Sequence, residues 1–184
     1  MSKIGLRAMK YNGWALRFVK NQTEEICLEA TRQDGWALVY VKNQTKEVCL
    51  AAVKEDGRAI KYVKNPTEEI CLAAVKQYGE SLQYINDQTE EICLEAVRSR
   101  GHALKYVKIQ TEEMCIEAVK QNGTALEHVK TQTYEVCLEA VRQYRWALDC
   151  IRCSVIRESV LAAMPRSKTF YHHLKDFFLG GWYE

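Results

Sequence analysis

Cysteine is the first residue type in this chain to invite a chemical reading. Cys27, Cys49, Cys71, Cys93, Cys115 and Cys137 recur every 22 residues, and Cys150 and Cys153 add a C-x-x-C pair. Such thiols could hold zinc, pair as disulfides or do redox work. Zinc requires ligands converging to about 2.3 Å from one ion. Equivalent residues of stacked helical units stand roughly 8–10 Å apart, beyond the roughly 4.4–6.8 Å between Cα atoms that a disulfide spans. The periodic cysteines are therefore expected to be small buried residues at a tight contact, and Ser159 in the same column agrees with that. Cys150-Ile151-Arg152-Cys153 stands alone; a structural zinc normally takes a second ligand pair, and His172-His173 is the only distant candidate. No metal and no cofactor is expected.

Catalysis has little to draw on. Of the four histidines, His128 replaces a periodic tyrosine and reads as a partly buried residue, not a base. The paired glutamates of Thr-Glu-Glu recur in nearly every unit, where they offset the positive end of a helix dipole. A catalytic pair would be expected once. Neither a Gly-rich phosphate loop nor a nucleophile elbow is present, so the chain is not expected to be an enzyme.

Two cation ladders raise a third possibility. Lys20, Lys42, Lys64, Lys108, Lys130 and Arg152 recur once per unit, with Asn86 breaking the series, and Arg32, Lys54, Lys76, Arg98, Lys120 and Arg142 form a second row. Stripes like these could track a phosphate backbone. Glu25 and its equivalents run parallel to them, however, and pairs such as Glu29–Arg32 and Glu95–Arg98 place opposite charges three residues apart, where helix side chains meet. A solvated, self-neutralised face is favoured, and nucleic acid is the runner-up partner.

The elements that carry these residues follow from the repeat, which takes precedence over any motif. Thr23 to Thr133, Glu25 to Glu135 and Leu28 to Leu138 hold the same 22-residue register as the cysteines, with Ile116 in the leucine column. A half-unit, Asn12 to Lys20, opens the array; six full units run from Asn21 to Arg152; a degenerate seventh keeps Ser159, Val160 and Ala162 in register. Each unit reads as two short helices. In Thr67–Gly79, Thr67 is the N-cap, Glu68 and Glu69 complement the dipole, and Gly79 suits the left-handed residue that ends a helix. Ile70, Cys71, Ala74 and Val75 share one arc, widened by Leu72. The second helix, Glu80–Asn86, buries Ser81, Leu82, Tyr84 and Ile85. Its seven residues are too few to be stable alone, so packing must hold it. One unit cannot cover its own apolar face, and stacked units can. The expected fold is all-α, an α-solenoid of 22-residue two-helix repeats with a C-terminal capping helix.

The pattern A-L-x-x-V-x-x-Q-T-x-E-x-C-L-x-A-V resembles the short helical repeat known as domain of unknown function 4116, over about residues 12–152. Members of that family are tandem arrays in bacterial and viral proteins without an assigned activity. The resemblance implies repeat architecture and, by analogy, a bacterial effector or viral host-interaction role in the host cytosol. Pro66 for Gln, Ile109 for Asn, Arg145 for Gly and Cys150 for Tyr depart from the pattern, and Arg145 puts the last interhelix turn in doubt.

Composition agrees with a single array. The 184 residues carry 26 Lys plus Arg against 24 Asp plus Glu, a balance unlike that of a polybasic nucleic-acid or membrane binder. Nine Gly and two Pro favour helices. The segment MSKIGLRAMKY lacks the apolar core of a signal peptide, no run approaches a membrane span, and eight cysteines without a secretory signal suggest reduced thiols in the cytoplasm.

Recognition is expected where repeats disagree. The two most variable helical positions read Trp14/Arg17, Trp36/Val39, Arg58/Lys61, Glu80/Gln83, His102/Lys105, Thr124/Glu127 and Trp146/Asp149. Being three apart on the second helix, they would line one continuous face. Trp and Arg are enriched at interface hot spots, so Trp14, Arg17, Trp36, Arg58, Lys61, Glu80, His102, Lys105, Glu127 and Trp146 are the candidate contacts to a protein partner. The alternative for the indoles is that they lie across the neighbouring repeat and cover its core. In the tail, Phe170, Leu174, Phe177 and Phe178 share a helical stripe, so residues 165–184 are expected to cap an array spanning 1–164. A monomer is expected over an oligomer, and an oligomer-forming array is the third reading, favoured if aromatic ends stack between chains.

Overall fold

The computed structural model describes residues 3–164; the expected C-terminal cap, 165–184, lies outside the described residues. Among the described residues, eight α-helices alternate with seven 3₁₀-helices. The α-helices are α1 Lys3–Tyr11, α2 Glu24–Gln33, α3 Lys46–Glu55, α4 Glu68–Gln77, α5 Glu90–Ser99, α6 Glu112–Gln121, α7 Tyr134–Gln143 and α8 Ser154–Ala163. The 3₁₀-helices are η1 Gly13–Phe18, η2 Gly35–Tyr40, η3 Gly57–Tyr62, η4 Gly79–Tyr84, η5 Gly101–Tyr106, η6 Gly123–His128 and η7 Arg145–Cys150. No strand occurs among the described residues.

Successive α-helices pack side by side in one layer and successive 3₁₀-helices in a second, and from η1 to η6 each 3₁₀-helix touches the α-helices before and after it. The core runs unbroken between the layers. Ile70, Cys71, Ala74 and Val75 of α4 are buried, as their arc predicts, and Leu72 is half-buried. From η4, Ser81 and Leu82 are buried and Ile85 closes the unit, whereas Tyr84 is 36% exposed, outside the stripe expected for it. This is an α-solenoid.

The threonine caps form at five units: the hydroxyls of Thr23, Thr45, Thr89, Thr111 and Thr133 accept from the amide three residues on. Thr67 makes no such bond. The array also starts earlier than its half-unit, because α1 occupies the helix slot ahead of η1, packs on α2 and buries Met9. The register held this signal, since Ala8 stands 22 residues before Ala30.

Two expectations about the second helix are corrected. It is a 3₁₀-helix, closed by bonds such as Val107 N–H to Leu104 C=O at 3.1 Å; six residues held by packing tolerate this tighter winding. Its glycine is not a left-handed helix terminator, because none of the described residues has positive φ. Gly79 instead begins η4, and the reason for glycine is steric. A Cβ on Gly101 would come within 2.7 Å of the Ala118 carbonyl oxygen in the next repeat. The glycine column therefore marks the closest approach of one unit's 3₁₀-helix to the following α-helix. Arg145 stands in that column and η7 keeps its 3₁₀ form, so the doubt about the last turn does not materialise.

Candidate protein-binding surface

The two variable positions separate into two environments. Arg17, Val39, Lys61, Gln83, Lys105, Glu127 and Asp149 are all exposed and form an outer row. The other column, from Trp14 to His102, turns toward the following unit and meets the residue twenty positions on, which precedes the glycine of the next 3₁₀-helix. Trp14 Nε1 donates to Asp34 Oδ2 at 2.5 Å and Trp36 Nε1 donates to Asp56 Oδ2 at 2.7 Å. Arg58 lies over the Tyr78 ring at 5.9 Å, Glu80 meets Arg100 at 3.4 Å, and His102 Nε2 lies 3.2 Å from the Asn122 amide. Each inner side chain is thus matched to its neighbour: indole with carboxylate, guanidinium with phenol, carboxylate with guanidinium, imidazole with amide.

Further contacts strengthen this seam. The Trp14 and Trp36 rings stand edge-on to Tyr40 and Tyr62, with centroids 5.6 Å apart in each pair. The second of the two readings for these indoles, cover for the neighbouring repeat, is the one the geometry fits. Trp146 differs: it is 75% exposed, against 42% for Trp14, while Trp36 is half-buried. Arg58 reaches back to Asp56 at 2.7 Å, and this guanidinium, with the Trp36 indole N–H, holds the Asp56 carboxyl down to about 2 although burial works the other way. His128 lies against His102, centroids 5.7 Å apart, and burial lowers its pKa despite the Glu127 carboxylate beside it. Lys105 reaches Glu80 at 3.3 Å and lies over Tyr106 at 4.7 Å.

The first cation ladder is an internal staple. Lys42 Nζ donates to the Lys20 carbonyl at 2.9 Å, Lys64 to the Lys42 carbonyl at 3.3 Å, Lys108 to the Asn86 carbonyl at 2.7 Å and Lys130 to the Lys108 carbonyl at 2.6 Å, and Arg152 bonds the Val129 carbonyl. In the second ladder three members meet acids: Arg98 pairs with Glu95 at 3.2 Å, Lys76 with Glu95 at 3.7 Å and Arg142 with Glu139 at 3.5 Å. Cations already engaged this way offer less to phosphate.

One functional column escaped the sequence reading. Gln22, Gln44, Gln88, Gln110 and Gln132 each bridge the loop ahead of an α-helix to the end of the 3₁₀-helix that follows it, in the same two-point manner. Gln110 Nε2 donates to the His128 carbonyl at 2.9 Å while its Oε1 accepts from the Lys130 amide at 2.8 Å. Gln44 does the same with Tyr62 and Lys64 at 2.9 and 3.0 Å. The thiols of Cys27, Cys49, Cys93 and Cys115 point at these side-chain oxygens, 3.6–3.9 Å away. Recurrence of the glutamine in five of the six units was the available signal; it read as pattern, not as a bond.

All eight cysteines are free thiols; the six periodic ones are buried, Cys150 is half-buried and Cys153 exposed. Burial raises the periodic thiols above their ordinary range, Cys137 to about 11. Among the described residues, no group of three or more His, Cys, Asp or Glu converges on a point that could hold a metal ion. No described helix is long and apolar enough to cross a membrane.

Tandem two-helix units stacked through one continuous core define the class as a helical-repeat protein. The profile of the family described as Domain of unknown function (DUF4116) matches at residues 23–67, 45–89, 67–110 and 89–133, each match two units long and advancing by one. Together these span more than half of the 184 residues, and the chain belongs to that family. No curated protein and no solved structure matches it.

Proposed function

We propose that the chain is a non-catalytic protein-binding scaffold that recognises its partner through the outer row, Arg17, Lys61, Lys105 and Glu127 among its residues, together with Trp146. The observation that carries this reading is the exposure of all seven outer-row side chains at equivalent backbone positions. Their charge runs from basic to acidic along an array whose core is closed beneath them. A surface held this rigidly loses little conformational entropy on binding, and its uneven chemistry gives it selectivity. In this reading Trp14, Trp36, Arg58, Glu80 and His102 serve as the coupling between units, and the primary contacts fall to the outer row. Trp146, an aromatic anchor with most of its surface in water, joins them.

The test is capture from a lysate by the wild-type chain and by an Arg17→Ala/Lys61→Ala/Glu127→Ala variant, each with and without nuclease. A protein retained by wild type, lost in the variant and insensitive to nuclease is the expected result. Retention that vanishes with nuclease would move binding to the cation ladders, whose affinity should then fall steeply with salt. Equal retention by both chains would remove the outer row from recognition.

A further inference from the structure

At one place in the array, within residues 65–86, two staples are missing together. Pro66 stands where five units have glutamine, and Asn86 stands where the ladder has a cation. In the sister units the glutamine amide joins a carbonyl and the amide N–H two residues later. Here those groups are the Tyr84 C=O and the Asn86 N–H, and Pro66 has no amide to offer them. No hydrogen bond between described residues engages either group or the Cys71 thiol. Thr67, next to Pro66, leaves its hydroxyl unused as a cap. Pro66, Thr67, Asn86 and Asp87 are all exposed, so the junction opens to solvent.

We propose that this junction is a binding site for a primary carboxamide: the Asn86 N–H and Cys71 S–H donate to the amide oxygen, and the Tyr84 C=O accepts from the amide nitrogen. The natural ligand is the side chain of an Asn or Gln presented by a protein partner, and in that respect alone the site rests on the function proposed above. The template is internal, since this chain fills the same set of groups with its own Gln22, Gln44, Gln88, Gln110 and Gln132. Burial raises the Cys71 thiol, with Asp87 and Glu68 adding to the effect, so it stays protonated and remains a donor. Those two carboxylates also disfavour an anionic ligand, and a ketone would leave the Tyr84 carbonyl unpaired. An amide satisfies both sides.

The experiment is a titration of the isotope-labelled full chain with propionamide, followed by amide proton–nitrogen correlation spectra. Propionate and butanone serve as controls, and Pro66→Gln is the variant. The expected result is a saturable shift of the Asn86 amide with propionamide alone. The amides of Lys42, Lys64, Lys108 and Lys130, already held by glutamine oxygens, should not move. In Pro66→Gln the shift should be lost, because the new side chain takes the ligand's place. Three results would each overturn the proposal: no saturable shift at Asn86, the same shift in Pro66→Gln, or equal shifts at all five amides. Because no protein partner enters this experiment, its failure would leave the outer-row reading standing, and failed capture would leave this site standing.

Discussion

Asp56 accepts from the Trp36 indole and the Arg58 backbone amide and pairs with the Arg58 guanidinium, with most of its carboxylate shielded from water. Its folded pKa of about 2 lies below the roughly 3.9 of an unfolded aspartate. The stabilisation is therefore present above about pH 4 and is lost as pH falls toward 2. In acid titrations of stability, Asp56→Asn should be the less stable chain near neutrality, with the gap closing between about pH 4 and 2; a gap that persists at pH 2 would contradict this assignment. Ser81 makes the opposite case. It stands in an alanine column, is fully buried, and its hydroxyl has no partner. An unpaired buried hydroxyl costs about 1–3 kcal/mol, so Ser81→Ala should raise the unfolding free energy by about 1 kcal/mol or more in denaturant melts. Thiol labelling of the native chain should reach the exposed Cys153 first, and the six buried thiols only on unfolding. The cysteine column was legible as core from its spacing alone. Its bond to the glutamine was not, because the partner lies in three dimensions beside a thiol that the sequence marks only as small and apolar.

At the scale of the element, the α-helices of the full units, α2 to α7, were readable because a threonine, a first-turn glutamate and an apolar arc recur together in each. The 3₁₀ form was not: six residues of Gly-x-Ala-Leu-x-Tyr fit either winding, and the close approach to the next unit decides it. The same approach explains why the glycine reading pointed to the wrong physics, conformational freedom in place of space. Gly101→Ala should cost about 1–3 kcal/mol, the range for overpacking against a neighbour that cannot retreat, since the atom it meets is the backbone oxygen of Ala118. Removing a staple should cost a similar amount by another route. Gln110→Ala leaves the His128 carbonyl and the Lys130 amide without their bonds, a loss of about 1–3 kcal/mol. Chemical unfolding measures both, and a change below about 0.5 kcal/mol would mean that these contacts do not hold the array together.

For the whole molecule, variability has two sources that one sequence cannot separate. One column varies because each unit must match the next, as Trp36 does with Asp56 and Glu80 with Arg100. The other varies with no matching residue twenty positions on and faces solvent. The pairing became visible only when residues of neighbouring units were placed side by side, although the i to i+20 complementarity is written in the chain. The central claim is this division: an inner column that couples units and an outer row that, apart from the Lys105 pair with Glu80, is left for recognition. Thermal melting of two variants tests it most directly, Trp36→Ala/Glu80→Ala for the inner column and Arg17→Ala/Lys61→Ala/Glu127→Ala for the outer row. The inner variant should melt several degrees lower, as a loss of about 2 kcal/mol implies for a domain of this size. The outer variant should melt with wild type, as exposed substitutions within about 0.5 kcal/mol do. An outer variant destabilised as much as the inner one would contradict the division, and with it the surface proposed for recognition.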